Sequence, residues 1–321
     1  MSGNRFIIFL LISLSTLFAG NIEPSRVFTV HGNINDVLYK DGKIYAATMS
    51  GKVDIVDIKS GKIEQEIALS QIKDFMGDAI DSEVFSVDVF DDRLLILSQD
   101  NEGYTRLDVF EKGQLHHIID KKEKFYIVKA KFVTKNKVLL GLLSNVYVLY
   151  DIDKKKTLWE EQISMSKFSN FALNDTKTEV ATADEGGDIS IVSLKDGKVR
   201  HHFDGINKDE VFGIDWKKHI VITGGKDKKV GLYDTKNYTS SQKVYGFFIY
   251  SVALSSDAKT AAASINDKND VVIFDVASKE DRAKLVKNSS KIVSIIFING
   301  DKEVLVAANN DKINLYQLKG K

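Results

Sequence analysis

Val230-Gly231-Leu232-Tyr233-Asp234, followed by Lys236, is one copy of a phrase that returns along the whole chain. An apolar strand ends in an aromatic or aliphatic residue, then usually Asp, and runs into a Lys- or Gly-rich turn. Ile55-Val56-Asp57 precedes Lys59-Ser60-Gly61-Lys62, and Leu149-Tyr150-Asp151 precedes Lys154-Lys155-Lys156. Ile191-Val192-Ser193 precedes Lys195-Asp196-Gly197-Lys198, and Ile273-Phe274-Asp275 precedes Lys279. Val109-Phe110-Glu111 and Leu315-Tyr316-Gln317 are degraded copies. The marker position falls at 57, 111, 151, 193, 234, 275 and 317, in steps of 54, 40, 42, 41, 41 and 42. Strand-like units at a period of about 40 residues predict a β-propeller, because one unit cannot bury its own faces and must stack with its neighbours into a ring.

The order inside each unit is constant. In the fifth, Val211-Phe212-Gly213-Ile214-Asp215 reads as a first strand and His219-Ile220-Val221-Ile222-Thr223 as a second. Gly224 to Lys229 is the turn into the third strand, Val230 to Asp234. The sixth unit repeats this from Tyr250 to Asp275 and the seventh from Ile292 to Leu318. The strands are short, rich in Val, Ile, Tyr and Phe, and bounded by Gly, Asn, Asp and Lys. Many are continuously apolar, as inner strands covered on both faces must be. The last unit stops after its third strand, while Arg26-Val27-Phe28-Thr29-Val30 is a spare strand before the first full unit. Pairing the two hides both edges. The expected fold is therefore all-β: seven blades, closed by the amino-terminal strand as the outer strand of the last blade. Eight blades is the alternative, but the one long step exceeds its neighbours by too little for another four-stranded sheet.

The chain has 321 residues, 43% hydrophobic and 28% charged, with a single Pro and no Cys. That balance suits one globular domain over residues 20–321 and leaves no disordered tract. Lys+Arg and Asp+Glu are both 45, so nothing favours nucleic acid, which calls for a basic face. Arg occurs only at 5, 26, 93, 106, 200 and 282. Lys, a solvated point charge, supplies nearly all the positive charge, which suits a soluble surface better than an anion pocket. Arg5 precedes an apolar run from Phe6 to Phe18, and Leu17-Phe18-Ala19-Gly20 offers a small-residue cleavage site. The run is too short to span a membrane and fits the core of an export signal. Residues 1–19 are expected to be a Sec signal cleaved after Ala19, delivering the domain to the periplasm with no stable membrane insertion. The absence of Cys excludes a lipid anchor through Cys, disulfides and thiolate chemistry.

No catalytic constellation stands out. The histidines are His31, His116, His117, His201, His202 and His219. The pairs His116-His117 and His201-His202 each follow a Gly turn and fall on outermost strands. Adjacent strand residues face opposite sides, so neither pair can chelate one metal. Gly224-Gly225-Lys226 and Glu185-Gly186-Gly187-Asp188 are strand-to-strand turns with no helix behind them, hence not phosphate loops. Trp159 and Trp216 read as core. There is no Gly-x-Ser-x-Gly elbow, and no spacing singles out a Ser, His and Asp triad. Nothing calls for a cofactor. The one interruption of the period is Asp74-Phe75-Met76-Gly77-Asp78-Ala79-Ile80-Asp81-Ser82-Glu83. Its spacing is not that of a calcium loop. It joins an outer strand to the next inner strand, on the face where repeat proteins place recognition loops. Asp74, Phe75, Met76, Asp78, Asp81 and Glu83 are the candidate partner-binding residues, with Phe75 and Met76 as apolar anchors.

Gly224 to Asp234 resembles a WD40 repeat with Tyr in place of Trp, and the likeness extends over nearly the whole chain from Val27. The Gly-His pair of that family is absent, with only His31-Gly32 in reversed order. The His/Asp/Ser/Trp hydrogen-bond network of the family is therefore expected to be largely missing. Ile72-Lys73-Asp74-Phe75-Met76-Gly77-Asp78-Ala79-Ile80-Asp81-Ser82, with Val84-Phe85-Ser86-Val87-Asp88, is similar to the NapL accessory proteins of epsilonproteobacterial periplasmic nitrate reductases. That resemblance implies a non-catalytic periplasmic accessory protein whose partner is a component of the nitrate reductase system. Two other readings stand beside it: a propeller enzyme with a metal or quinone cofactor in its central channel, and a general outer-membrane assembly scaffold. The enzyme requires converging polar residues at the channel mouths, where stretches such as Phe168-Ser169-Asn170-Phe171-Ala172 and Ile292-Val293-Ser294-Ile295 offer few.

Overall fold

A computed structural model describes residues 20–203 and 205–318; the expected export signal, residues 1–19, lies outside the described residues. Seven antiparallel sheets follow one another, each running from an inner first strand to an outer fourth. Blade one is Ile34–Lys40, Lys43–Thr48, Lys52–Asp57 and Ile63–Ala68, and blade two is Val84–Phe90, Arg93–Gln99, Thr105–Glu111 and Gln114–Ile119. Blade three is Ile127–Thr134, Lys137–Leu142, Val146–Asp151 and Lys156–Gln162, and blade four is Phe168–Leu173, Glu179–Asp184, Ile189–Ser193 and Val199–Phe203. Blade five is Val211–Lys217, Ile220–Gly225, Lys229–Asp234 and Thr239–Val244, and blade six is Val252–Leu254, Thr260–Ser264, Val271–Asp275 and Asp281–Leu285. Blade seven takes Ile292–Ile298, Glu303–Ala308 and Lys312–Gln317 from the carboxyl end. Its fourth strand is Arg26–Thr29, antiparallel to Lys312–Gln317 with Phe28 opposite Ile313. The ring is thus a seven-bladed propeller latched by the two ends of the chain, and the first strands neighbour one another all the way round, blade seven meeting blade one.

The apolar residues explain why the sheets stack. They separate into seven buried clusters, and each cluster spans one junction between adjacent blades. Third strands are buried on both faces, as Val146–Asp151 and Ile189–Ser193 show. Outer strands alternate, as in Lys156–Gln162, because one face meets water. At the closing junction Phe28 and Val30 join Ile34, Ile44, Ile313 and Leu315. Arg26 adds a polar tie by donating from Nη1 to the carbonyls of Ile58 and Lys59, both at 2.7 Å, in blade one.

Two features depart from expectation. Gly20–Ile22 forms a short parallel fifth strand on blade six, pairing Ile22 with Leu285. The only Pro, Pro24, lies between this strand and the closing one; with no N–H to give, it suits the break. The long step of the repeat is filled by a hairpin of Ile72–Lys73 and Ala79–Ile80 and a 3-10 turn at Asn101–Gly103. It holds no further blade.

Buried polar networks of a different composition, with no His or Trp, brace two of the blades. In blade five the buried Asn207 is the centre of one. Its Nδ2 donates to Asp227 Oδ1 (3.0 Å), and its Oδ1 accepts from Thr223 Oγ1 (2.6 Å) and Tyr233 Oη (3.4 Å). A Cβ on Gly231 would collide with Thr223 Oγ1 and the Tyr233 ring, so this glycine makes room for the network. Burial pushes the Tyr233 hydroxyl up to about 12, which keeps it a neutral donor. Blade seven repeats the device with Asn288, whose Oδ1 lies 2.8 Å from Tyr316 Oη and 3.0 Å from Asn314 Nδ2.

Candidate functional site

The hairpin and its flanks carry all six residues singled out from the sequence. Ile72 is buried and roots the hairpin, while the Lys73 N–H donates to Asn101 Oδ1 at 2.8 Å. Asp74 shapes the tip: its Oδ1 accepts the N–H groups of Met76 (2.8 Å) and Asp78 (2.9 Å). Gly77, at φ +89°, completes the turn. Asp81 accepts from Gln71 at 3.2 Å, and Glu83 accepts from Asn35 Nδ2 at 2.8 Å. Asp74 and Asp81 thus hold the loop's own shape, Glu83 ties its end to the first strand of blade one, and the three do not converge on a cation. The tip projects Phe75 and Met76 at 80% and 86% exposure, and the Phe75 ring leans toward Gly103.

The upper face of the ring carries the connections from outer to first strands and the turns from second to third. Exposed apolar side chains gather there over one arc: Met49, Phe75, Met76, Tyr126, Leu143 and Met165. They belong to blades one to four and the loops between them. Met165 is 95% exposed. Apart from Met1 the chain has three methionines, and all three stand on this arc. Sequence reading found only the pair in the hairpin. Met49 and Met165 sit in short turns of ordinary length, so their common placement emerges only from the three-dimensional ring.

The central channel is the second candidate, a cavity of about 720 Å³. It is more polar than the sequence suggested. Asp36 Oδ2 accepts the Val87 N–H (3.2 Å), Asp88 Oδ2 accepts the Phe132 N–H (2.7 Å), and Asp215 Oδ2 accepts the Leu254 N–H (2.9 Å). Asn170 Nδ2 donates to the Phe212 carbonyl at 2.8 Å. Each of these bonds joins the first strand of one blade to that of the next. Lys129 Nζ donates to Asn170 Oδ1 (2.6 Å) and the Phe171 carbonyl (2.8 Å). Burial, and then the nearby Lys131 charge, lower the Lys129 ammonium to about 8. Burial also works against the charge of Lys131, but Asp36 and then Asp88 outweigh it and hold that ammonium above its ordinary value. Phe85, Val128, Phe212, Tyr250 and Val293 surround the upper mouth.

The histidine pairs fall on the outer strands of blades two and four and do not meet. His117 Nδ1 bonds the buried Asp108, His202 Nδ1 lies 3.1 Å from Ser190 Oγ, and His201 stacks on Tyr238 at 4.1 Å between centroids. Trp216 is buried in the junction of blades four and five, and Trp159 packs between blades three and four with Nε1 bonded to the Leu194 carbonyl at 3.0 Å. Among the described residues, one group of His and carboxylates brings three ligand atoms together: His31, Asp54 and Glu66. No protein-family model and no curated protein matches this chain.

Proposed function

We propose that this chain is a non-catalytic interaction protein that receives a partner protein on the upper face, over the arc of blades one to four. The observation that carries this reading is the concentration of Phe75 and all three described methionines on that arc. Single exposed apolar residues are ordinary, but several gathered on one face mark a surface for association. Methionine suits such a surface because its flexible, polarisable thioether adapts to the shape it meets. The rigid ring below fixes the positions of the anchors and so lowers the ordering cost of association. The channel's acids and lysines support the same reading, since the bonds they make tie blade to blade.

The partner is proposed to be a component of a periplasmic nitrate reductase system, which this Sec-exported protein would serve during assembly or activity. That identification rests on the resemblance carried by Ile72 to Asp88. The test is co-purification of the reductase with the tagged chain, repeated with the double variant Phe75→Ser/Met76→Ser. Two central apolar anchors together are expected to weaken binding by about 100-fold. Thermal stability stays unchanged, because both side chains are exposed. Undiminished capture by the double variant would remove the hairpin from the docking surface. Absence of the reductase from the wild-type eluate would reject the named partner.

A further inference from the structure

His31, Asp54 and Glu66 converge at the seam where the closing strand passes into blade one. Asp54 lies on the third strand of that blade, with Glu66 directly opposite on the outer strand. His31 follows the closing strand by two residues. Its Nδ1 stands 3.1 Å from Asp54 Oδ1 and 3.0 Å from Glu66 Oε2. The Asp54 side chain is wholly buried, and its second oxygen accepts the His31 backbone N–H at 2.7 Å. One nitrogen therefore faces two carboxylate oxygens, and a single proton on Nδ1 cannot serve both fully. Ligand atoms around a tetrahedral zinc ion, bonded at about 2.0–2.2 Å, stand roughly 3.3 Å from one another. The seam already holds its three donors near that spacing, all within 4.8 Å.

We propose that His31 Nδ1, Asp54 Oδ1 and Glu66 Oε2 bind one Zn²⁺, with water in the fourth position. The donor set suits zinc: an imidazole with two carboxylates is a borderline N/O site, too few oxygens for Ca²⁺ and no thiolate for softer ions. Asp54 is the preorganised ligand, because both its oxygens already address residue 31. Without metal, Lys52 Nζ lies 3.0 Å from Glu66 Oε2 and supplies the compensating charge. Zinc displaces this ammonium from Glu66 and the proton from Nδ1. Blade two shows the same locus built differently. Asp108 meets His117, but Arg106 Nε sits on it at 2.8 Å, a guanidinium that keeps its charge. Among the described residues the blade-one seam is thus the one such group of donors, and zinc there fastens the closing segment to blade one.

The experiment is calorimetric titration of ZnSO₄ into the full-length chain after chelator treatment, with thermal melts in parallel. The wild type is expected to bind one equivalent and to gain about 4 °C in Tm at zinc near 100 times Kd. Loss of a ligand in His31→Ala or Glu66→Gln lowers the affinity at least about 10-fold. Lys52→Met tightens binding, because the competing ammonium is gone, whereas a purely structural Lys52–Glu66 ion pair would leave zinc affinity unmoved. Glu66 and Lys52 lie near the surface, so these two variants keep the test readable should His31→Ala unfold. No stoichiometric binding by the wild type, or equal affinity in Glu66→Gln, would overturn the site.

Discussion

Removing residues 20–30 is expected to convert a monomer with one cooperative melt into an aggregating species without a sharp transition. The deletion strips Lys312–Gln317 of its neighbour and leaves its N–H and C=O groups as an open edge, the usual template for association between copies. It also takes Phe28 and Val30 from the cluster that joins blades seven and one. Phe28 is 1% exposed, and truncating such a side chain to Ala alone costs about 3–5 kcal/mol. Because each blade buries its apolar faces only against its neighbours, an opened junction exposes the inner faces of two blades at once. Size-exclusion chromatography and circular-dichroism melts read the outcome. A peptide of residues 20–31 added in trans is expected to restore part of the monomer. A monodisperse deletion variant with near-native Tm would mean that the ring does not depend on its latch.

Asn207→Ala is expected to cost about 3 kcal/mol, through orphaned partners more than lost volume. Asn207 is 1% exposed and binds Asp227, Thr223 and Tyr233 at once. Thr223 is wholly buried, so its hydroxyl finds no water in exchange. The Tyr233 hydroxyl loses an acceptor inside the same pocket. Asn237→Ala is the matched control: its bond to Asp234 lies in an exposed turn, and its loss is expected within about 0.5 kcal/mol. Urea unfolding of the two variants measures the difference. Equal midpoints would show that blade five is held by packing alone.

The seven-fold plan was legible because its signal is local. Each third strand ends at a fixed distance from its turn, so Tyr233 before Asp234 and Phe274 before Asp275 mark their blades without knowledge of any neighbour. The closing strand was legible for a complementary reason: the last unit shows three strands and a spare one, Arg26 to Val30, stands before the first full unit. The channel was not legible, because its polar groups come one or two to a strand. Asp36, Lys129, Lys131, Asn170 and Asp215 form a set only once the first strands are laid side by side in register. A faint signal for the polar networks was present, since Asn207 and Asn288 each stand four residues before a first strand. His31 could not be linked to Asp54 and Glu66 from sequence, because that meeting depends on the closing strand's path and on the pairing of Asp54 with Glu66. The arc of Met49, Met76 and Met165 is likewise a product of ring closure, which brings turns of separate blades to one face.

Closure itself is most directly measured by a disulfide, and the chain has no cysteine of its own to interfere. Thr29 and Lys312 are cross-strand partners at the latch, at the Cα separation a disulfide accepts. In Thr29→Cys/Lys312→Cys, mild oxidation is expected to give an intramolecular link in nearly every molecule, seen as one peptide joining residues 29 and 312 after proteolysis, with a raised Tm. Free thiols after oxidation, or links formed only between copies, would contradict a ring held shut by the two ends of its own chain.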